Sequence, residues 1–144
     1  MEKKPHIALL GNPNSGKSSL FNLLTGLRQK VGNFPGVTVE RKLGNIQLIN
    51  KQECVVIDLP GAYSLYPRRT DEWVSYKQLM SPSSAESLDV IIVVADASNL
   101  RRNLLYVSQV IDIKIPVVVA LTMTDLAKKR GITVDVDCLS REMQ

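Results

Sequence analysis

The feature that most constrains this chain is Gly11-Asn12-Pro13-Asn14-Ser15-Gly16-Lys17-Ser18, set between an apolar run and a helical pattern. The run is His6–Leu10 and reads as a buried strand. The pattern is Ser18–Leu27, where Leu20, Phe21, Leu23, Leu24 and Leu27 recur at helical spacing and Gly26 lies near the end. A strand that enters a helix through so short a glycine loop begins a strand–helix unit. The rest of the chain repeats that unit.

Lys30–Val39 reads as a loop, with Gly32, Asn33, Pro35 and Gly36 inside it. Leu43–Asn50 and Cys54–Leu59 flank the polar turn Asn50–Glu53 and predict a hairpin. Pro60–Ser87 is polar and irregular, with a helix expected around Trp73–Met80. Strand Val90–Ala95, helix Asn103–Ile113, strand Pro116–Leu121 and a short helix at Leu126–Lys129 follow. The expected fold is α/β: a mostly parallel sheet with one antiparallel hairpin strand and helices on both faces. Right-handed crossovers place the loops after the strands on one edge, where open α/β sheets bind ligands.

Composition narrows the class. At 144 residues, with 44% hydrophobic and 22% charged side chains, the chain fits one domain and excludes a coiled coil or a disordered segment. Its apolar runs fall far short of the roughly 20 residues that cross a bilayer, and no secretory signal precedes His6, so the chain reads as a soluble domain. The net charge of +4 is scattered in small clusters without interleaved aromatics, so no nucleic-acid partner is expected. Cys54 and Cys138 lack companions at metal-ligand spacing; Cys54 reads as a core residue and His6 as a strand-edge residue.

The loop matches G-x-x-x-x-G-K-[ST], a phosphate cradle. Its glycines let backbone N–H groups converge on phosphates, and the following helix adds its positive end. Asn12, Pro13, Asn14, Ser15, Gly16, Lys17, Ser18 and Ser19 are therefore expected at the nucleotide, with Lys17 on the β- and γ-phosphates and Ser18 on Mg²⁺. Asp58-Leu59-Pro60-Gly61 supplies D-x-x-G: an aspartate to hold Mg²⁺ through water and a glycine N–H for the γ-phosphate. Thr38 completes the set as a Mg²⁺ ligand that senses the γ-phosphate, with Gly36 and Val37 beside it.

Three stretches together carry a resemblance: the phosphate loop, Val31–Glu40 (VGNFPGVTVE) and Asp58–Leu65 (DLPGAYSL). With Val94–Leu100 and Ala127–Ile132 they resemble the N-terminal G domain of the FeoB-type ferrous iron transporters over nearly the whole chain. The resemblance implies a P-loop GTPase fold, GTP and GDP as ligands, placement on the cytoplasmic face of a bacterial inner membrane, and an attached membrane permease. Self-association is left open. It also implies a K⁺ ion beside the phosphates, held by Asn12 and by the carbonyls of Gly32 and Phe34. Such G domains usually end with a further strand, a guanine-contacting loop and a helix, which Ile132–Gln144 only begins, so the chain reads as a piece of a larger transporter.

Two positions depart from the usual GTPase pattern. Ala62 stands where many GTPases place a water-orienting glutamine, so slow turnover is expected and no general base is assigned. Arg68 and Arg69 read as a solvated pair rather than arginine fingers. Guanine is normally read by Asn-x-x-Asp; here Thr122-Met123-Thr124-Asp125 keeps the aspartate and replaces the asparagine. Asp125 can accept the guanine N1 and N2 hydrogens, whereas Thr122 offers fewer bonds than an amide. Weakened guanine binding is expected. Two other readings are a nucleotide sensor with negligible turnover and a ribosome- or RNA-associated GTPase. In the leading reading, Lys30–Val39 and Pro60–Pro67 are switch loops ordered by the γ-phosphate.

Overall fold

Six strands form one sheet in the computed structural model, which describes residues 3–26, 29–33, 40–66, 68, 73, 77, 81 and 87–144. The strands are β1 (His6–Gly11), β2 (Gln29–Asn33), β3 (Glu40–Gln47), β4 (Glu53–Asp58), β5 (Val90–Asp96) and β6 (Val117–Thr122). Their order across the sheet is β2-β3-β4-β1-β5-β6. The described helices are α1 (Lys17–Thr25), α2 (Leu100–Ile111), α3 (Thr124–Lys129) and α4 (Val136–Glu142), with a 3₁₀ turn at Ala97–Asn99. The pairs β1–β4, β1–β5 and β5–β6 are parallel. Only β3 runs against its neighbours, antiparallel to both β2 and β4. The expected architecture, with a single reversed strand, is the one observed.

The interior follows from strand composition. Leu9, Leu10, Val56, Ile57, Ile91, Val93 and Val94 are almost fully buried, as near-continuous apolar runs require in a sheet covered on both faces. One side packs on Tyr106, Val107 and Val110 of α2, the other on Phe21 of α1. Gly44 is where α1 lies flat on β3: a β-carbon there would drive into the Thr25 side chain. Cys54 is a core residue, as read; burial pushes its thiol pKa up, with the Asp89 carboxylate adding to the shift.

The differences from expectation are local. Residues 30–33, read as the start of a loop, belong to edge strand β2. Gln29-Lys30-Val31-Gly32-Asn33 has no apolar alternation to announce a strand, and its backbone ladder to β3 is the reason it is one. The helix expected from Asn103 starts at Leu100, fed by the 3₁₀ turn that Asp96 caps through Ser98 N–H at 2.8 Å. It ends at Ile111 rather than Ile113. Residues 136–142 form α4, which Asp135 caps by accepting the Cys138 N–H at 2.9 Å. The expected helix at 73–80 falls largely outside the described residues; Trp73 and Lys77 are both helical. Among the described residues no helix is long and apolar enough to cross a membrane.

Candidate functional site

The parallel strands β1, β4, β5 and β6 end on one edge, and the candidate residues stand there. Register fixes their height: Leu9 lies opposite Asp58, Gly11 opposite Val94, and Asp96 opposite Thr122. The phosphate loop leaves β1 at Gly11, where a β-carbon would meet Ser15 Oγ at 2.8 Å and the Val94 carbonyl at 3.1 Å. Asn14 and Gly16 take left-handed backbone, φ +60° and +89°, and Ser15 N–H closes the turn on the Asn12 carbonyl at 3.2 Å. Gly16 is the N-cap of α1 and brings no side chain to the helix end, and the first turn holds no acid. That arrangement presents the positive end of α1 to an anion.

Lys17 and Asp58 meet at the mouth of this loop. The Lys17 ammonium is ion-paired with the Asp58 carboxylate, and each side chain is only 10% exposed. Ser18 and Ser19 lie exposed on the first turn of α1. The D-x-x-G segment is docked directly on the loop. A β-carbon on Gly61 would stand 3.1–3.2 Å from Pro13 N and Cα. Leu59 and Ala62 donate their N–H groups to the Leu9 and Gly11 carbonyls at 3.2 and 3.1 Å. Ala62 is itself a core residue, 1% exposed. The side chain at this position thus points into the protein, and the missing glutamine is matched by a conformation that would not present one.

The segment that follows is tied to α2. Gln109 Oε1 accepts from Ser64 Oγ at 3.1 Å and from Leu65 N–H at 2.9 Å, and the Arg102 guanidinium lies 4.3 Å from the Tyr63 ring centroid. Asn103 Oδ1 accepts the Asp96 N–H at 3.2 Å while its Nδ2 donates to the Asn99 carbonyl at 2.9 Å. Sequence reasoning found neither Gln109 nor Asn103. Both are single amides on an amphipathic helix, with no motif to mark them.

At the end of β6, the Thr122 hydroxyl donates to the Ser15 carbonyl at 2.5 Å, with the Ala95 carbonyl at 3.3 Å. Met123 follows in left-handed backbone, φ +55°, and opens α3, whose first turn carries the exposed Asp125. A β-carbon on Gly16 would have Thr122 Cβ and Met123 Cε at 3.5 and 3.6 Å. The segment expected to read the base thus touches the loop expected to hold the phosphates.

Not every expected residue joins the site. Phe34, Gly36, Val37, Thr38 and Arg69 lie outside the described residues, and Arg68 is exposed. Asn12, expected at a K⁺ ion with Gly32, is 4% exposed. Neither its Nδ2 nor its Oδ1 has a partner among the described residues. It lines a polar cavity of about 200 Å³ with Ser15, Asp96 and Arg102, on the β5 side of the loop. Gly32 belongs to β2, three strands from β1 in the opposite direction, about 14 Å at ordinary strand spacing. Asn14, by contrast, is exposed at the tip of the loop.

Comparison with known proteins agrees with this fold. The family model described as Ferrous iron transport protein B matches residues 5–144. The Fe(2+) transporters FeoB of Salmonella typhimurium and Escherichia coli (strain K12) are each 46% identical over 98% of this chain. The chain spans only 18% of the length of those two relatives. Among solved structures, the cytosolic domain of T. maritima FeoB in its GMPPNP form superposes with TM-score 0.88 at 38% identity, covering 96% of this chain and 53% of that one. A point mutant of S. thermophilus NFeoB bound to mGDP gives TM-score 0.86 at 46% identity, covering 96% and 51%.

Proposed function

The chain belongs to the ferrous iron transport protein B family, and on that premise we propose that it is a Mg²⁺-dependent, guanine-nucleotide-binding switch domain that hydrolyses GTP slowly. The carrying observation is the ion pair of Lys17 with Asp58 at the mouth of the loop that precedes α1. Support comes from relatives of the same fold solved with GDP and GMPPNP.

The chemistry follows from the charges. Lys17 and Asp58 neutralise one another in the structure as it stands. A triphosphate entering the loop offers the Lys17 ammonium a denser anion, and the backbone N–H groups at the start of α1 a set of acceptors. Asp58, released from the lysine, and the Ser18 hydroxyl are hard oxygen donors suited to Mg²⁺. Bound there, the metal would neutralise charge on the β- and γ-phosphates. Asp125 selects the base by accepting two hydrogens that guanine has and adenine lacks. No step is assigned to K⁺; of the two loop asparagines, Asn14 is exposed and Asn12 is buried.

Coupling to an attached iron(II) permease, cytoplasmic placement at a bacterial inner membrane and any self-association are further parts of this proposal. They rest on relatives of which the chain covers a minor share. Core burial of Ala62 favours the sensor reading as the alternative, since it leaves the attacking water without a side chain from that position. Single-turnover hydrolysis of bound GTP separates the two. The expected result is Mg²⁺-dependent phosphate release that is slow, single-exponential and goes to completion. Bound GTP that stays intact over many hours would replace the GTPase with the sensor.

A further inference from the structure

We propose that the polar cavity on the β5 side of the phosphate loop is a binding site for a small zwitterion, a free α-amino acid. The site stands apart from the proposed nucleotide site, because Lys17, Ser18 and Asp58 do not line it.

The need for an occupant starts at Asn12. Its side chain carries two donor hydrogens and an acceptor oxygen, yet the residue is only 4% exposed and neither end has a hydrogen-bond partner. The hydroxyl of Ser15, 2% exposed, has no partner either. Buried polar groups left unmet are destabilising, so they are matched by protein, water or a ligand. A phosphate cradle is built from backbone N–H groups and leaves the Asn12 amide unused.

Charge selects the occupant. Asp96 and Arg102 line the same cavity, and neither belongs to an ion pair among the described residues. Asp96 Oδ1 accepts from the N–H and the hydroxyl of Ser98 at 2.8 and 2.6 Å, while its Oδ2 accepts from no described residue. The Arg102 guanidinium is placed by the Tyr63 ring, 4.3 Å from its centroid, and no described carboxylate meets its N–H groups. A lone anion in this cavity is repelled by Asp96 and a lone cation by Arg102. A molecule carrying both charges satisfies both, its ammonium on Asp96 Oδ2 and its carboxylate on Arg102, through charge-assisted hydrogen bonds. The Asn12 amide, acceptor at one end and donor at the other, serves either group. Size sets the limit. A cavity of about 200 Å³ holds roughly six or seven waters at about 30 Å³ each, hence a molecule of about that many non-hydrogen atoms. Glycine, alanine and serine fit; amino acids with long side chains do not. Exposed Asn14 and Arg102 leave the cavity open to solvent on one side.

The test follows the Asn12 side-chain amide by heteronuclear NMR in the whole chain, without nucleotide, so its result is independent of the GTPase reading. The probes are glycine, acetate and methylammonium at matched ionic strength. Glycine is expected to shift this amide saturably with a Kd of about 1 mM, inside the ceiling for so small a ligand. Acetate and methylammonium each lack one charged contact and should bind about tenfold more weakly or worse. Arg102→Gln, on an exposed side chain, and Asp96→Asn, which keeps an acceptor for Ser98, should each weaken glycine by a similar factor. Arg102→Lys should restore most of the affinity. No saturable shift with glycine, acetate as tight as glycine, or unchanged glycine affinity in Arg102→Gln would each leave the cavity to water and overturn the proposal.

Discussion

Replacing Lys17 with methionine is expected to cost both nucleotide affinity and fold stability, and the two losses separate in a second variant. The ammonium is the only side-chain cation the phosphate motif supplies, and a hydrogen bond to a charged partner contributes about 1.5–3 kcal/mol, or roughly 10- to 100-fold in affinity. Removing it also strips the partner from Asp58, whose side chain is 10% exposed. An orphaned buried carboxylate costs about 3–5 kcal/mol when its partner is deleted, with the low end appropriate where water can reach it. Adding Asp58→Asn removes that charge. The Lys17→Met, Asp58→Asn double variant should therefore recover most of the lost stability in chemical denaturation and none of the lost GDP affinity. A double variant as unstable as Lys17→Met would show that the ion pair does not account for the stability loss. Retained GDP affinity in Lys17→Met would remove the lysine from the phosphate site.

Asp125→Asn should reverse base preference rather than merely weaken binding. The carboxylate accepts from guanine N1–H and the exocyclic amine. An asparagine presents a donor in place of one acceptor, which suits a base with a carbonyl where guanine has its amine, namely xanthine. A site built to pair a polar group rejects the analogue that leaves it unpaired, and each mismatched bond costs about 1–3 kcal/mol. GDP affinity is expected to fall by about 100-fold, with XDP rising to become the tighter ligand. Competition titrations with both nucleotides check this. The expected reversal should be cleaner here than in a site with an asparagine at position 122, because the one hydroxyl proton of Thr122 is donated to Ser15 and an amide has two to offer. Equal GDP affinity in Asp125→Asn and wild type would show that Asp125 does not read the base.

Most of the sheet and the phosphate loop were legible in the residues, for physical reasons that explain the failures as well. Buried parallel strands such as Val90–Asp96 must be continuous apolar runs, and a G-x-x-x-x-G-K-[ST] loop must carry its glycines where the backbone turns left-handed, as at Gly16. Edge strand β2 gave no such signal, because one ladder of backbone hydrogen bonds asks little of the side chains. Ala62 could be identified as a missing glutamine but not as a core residue; only the docking of Gly61 on Pro13 shows which way that position faces. Asn12 and Asn14 sit two residues apart in one motif, and the left-handed turn at Asn14 leaves one amide buried and the other exposed. Bonds spanning the fold, such as Thr122 to Ser15 or Gln109 to Leu65, leave no pattern in a linear sequence.

In the proposed function, guanine-nucleotide binding by this chain rests for its base choice on a single aspartate, Asp125. The most direct measurement is a competition titration of the wild-type chain with GDP, GTP, ADP and ATP in the presence of Mg²⁺. Saturable binding of GDP and GTP is expected, with both adenine nucleotides weaker by at least about ten- to a hundredfold, the range for losing one hydrogen bond to a carboxylate. ATP and GTP binding with equal affinity would contradict it.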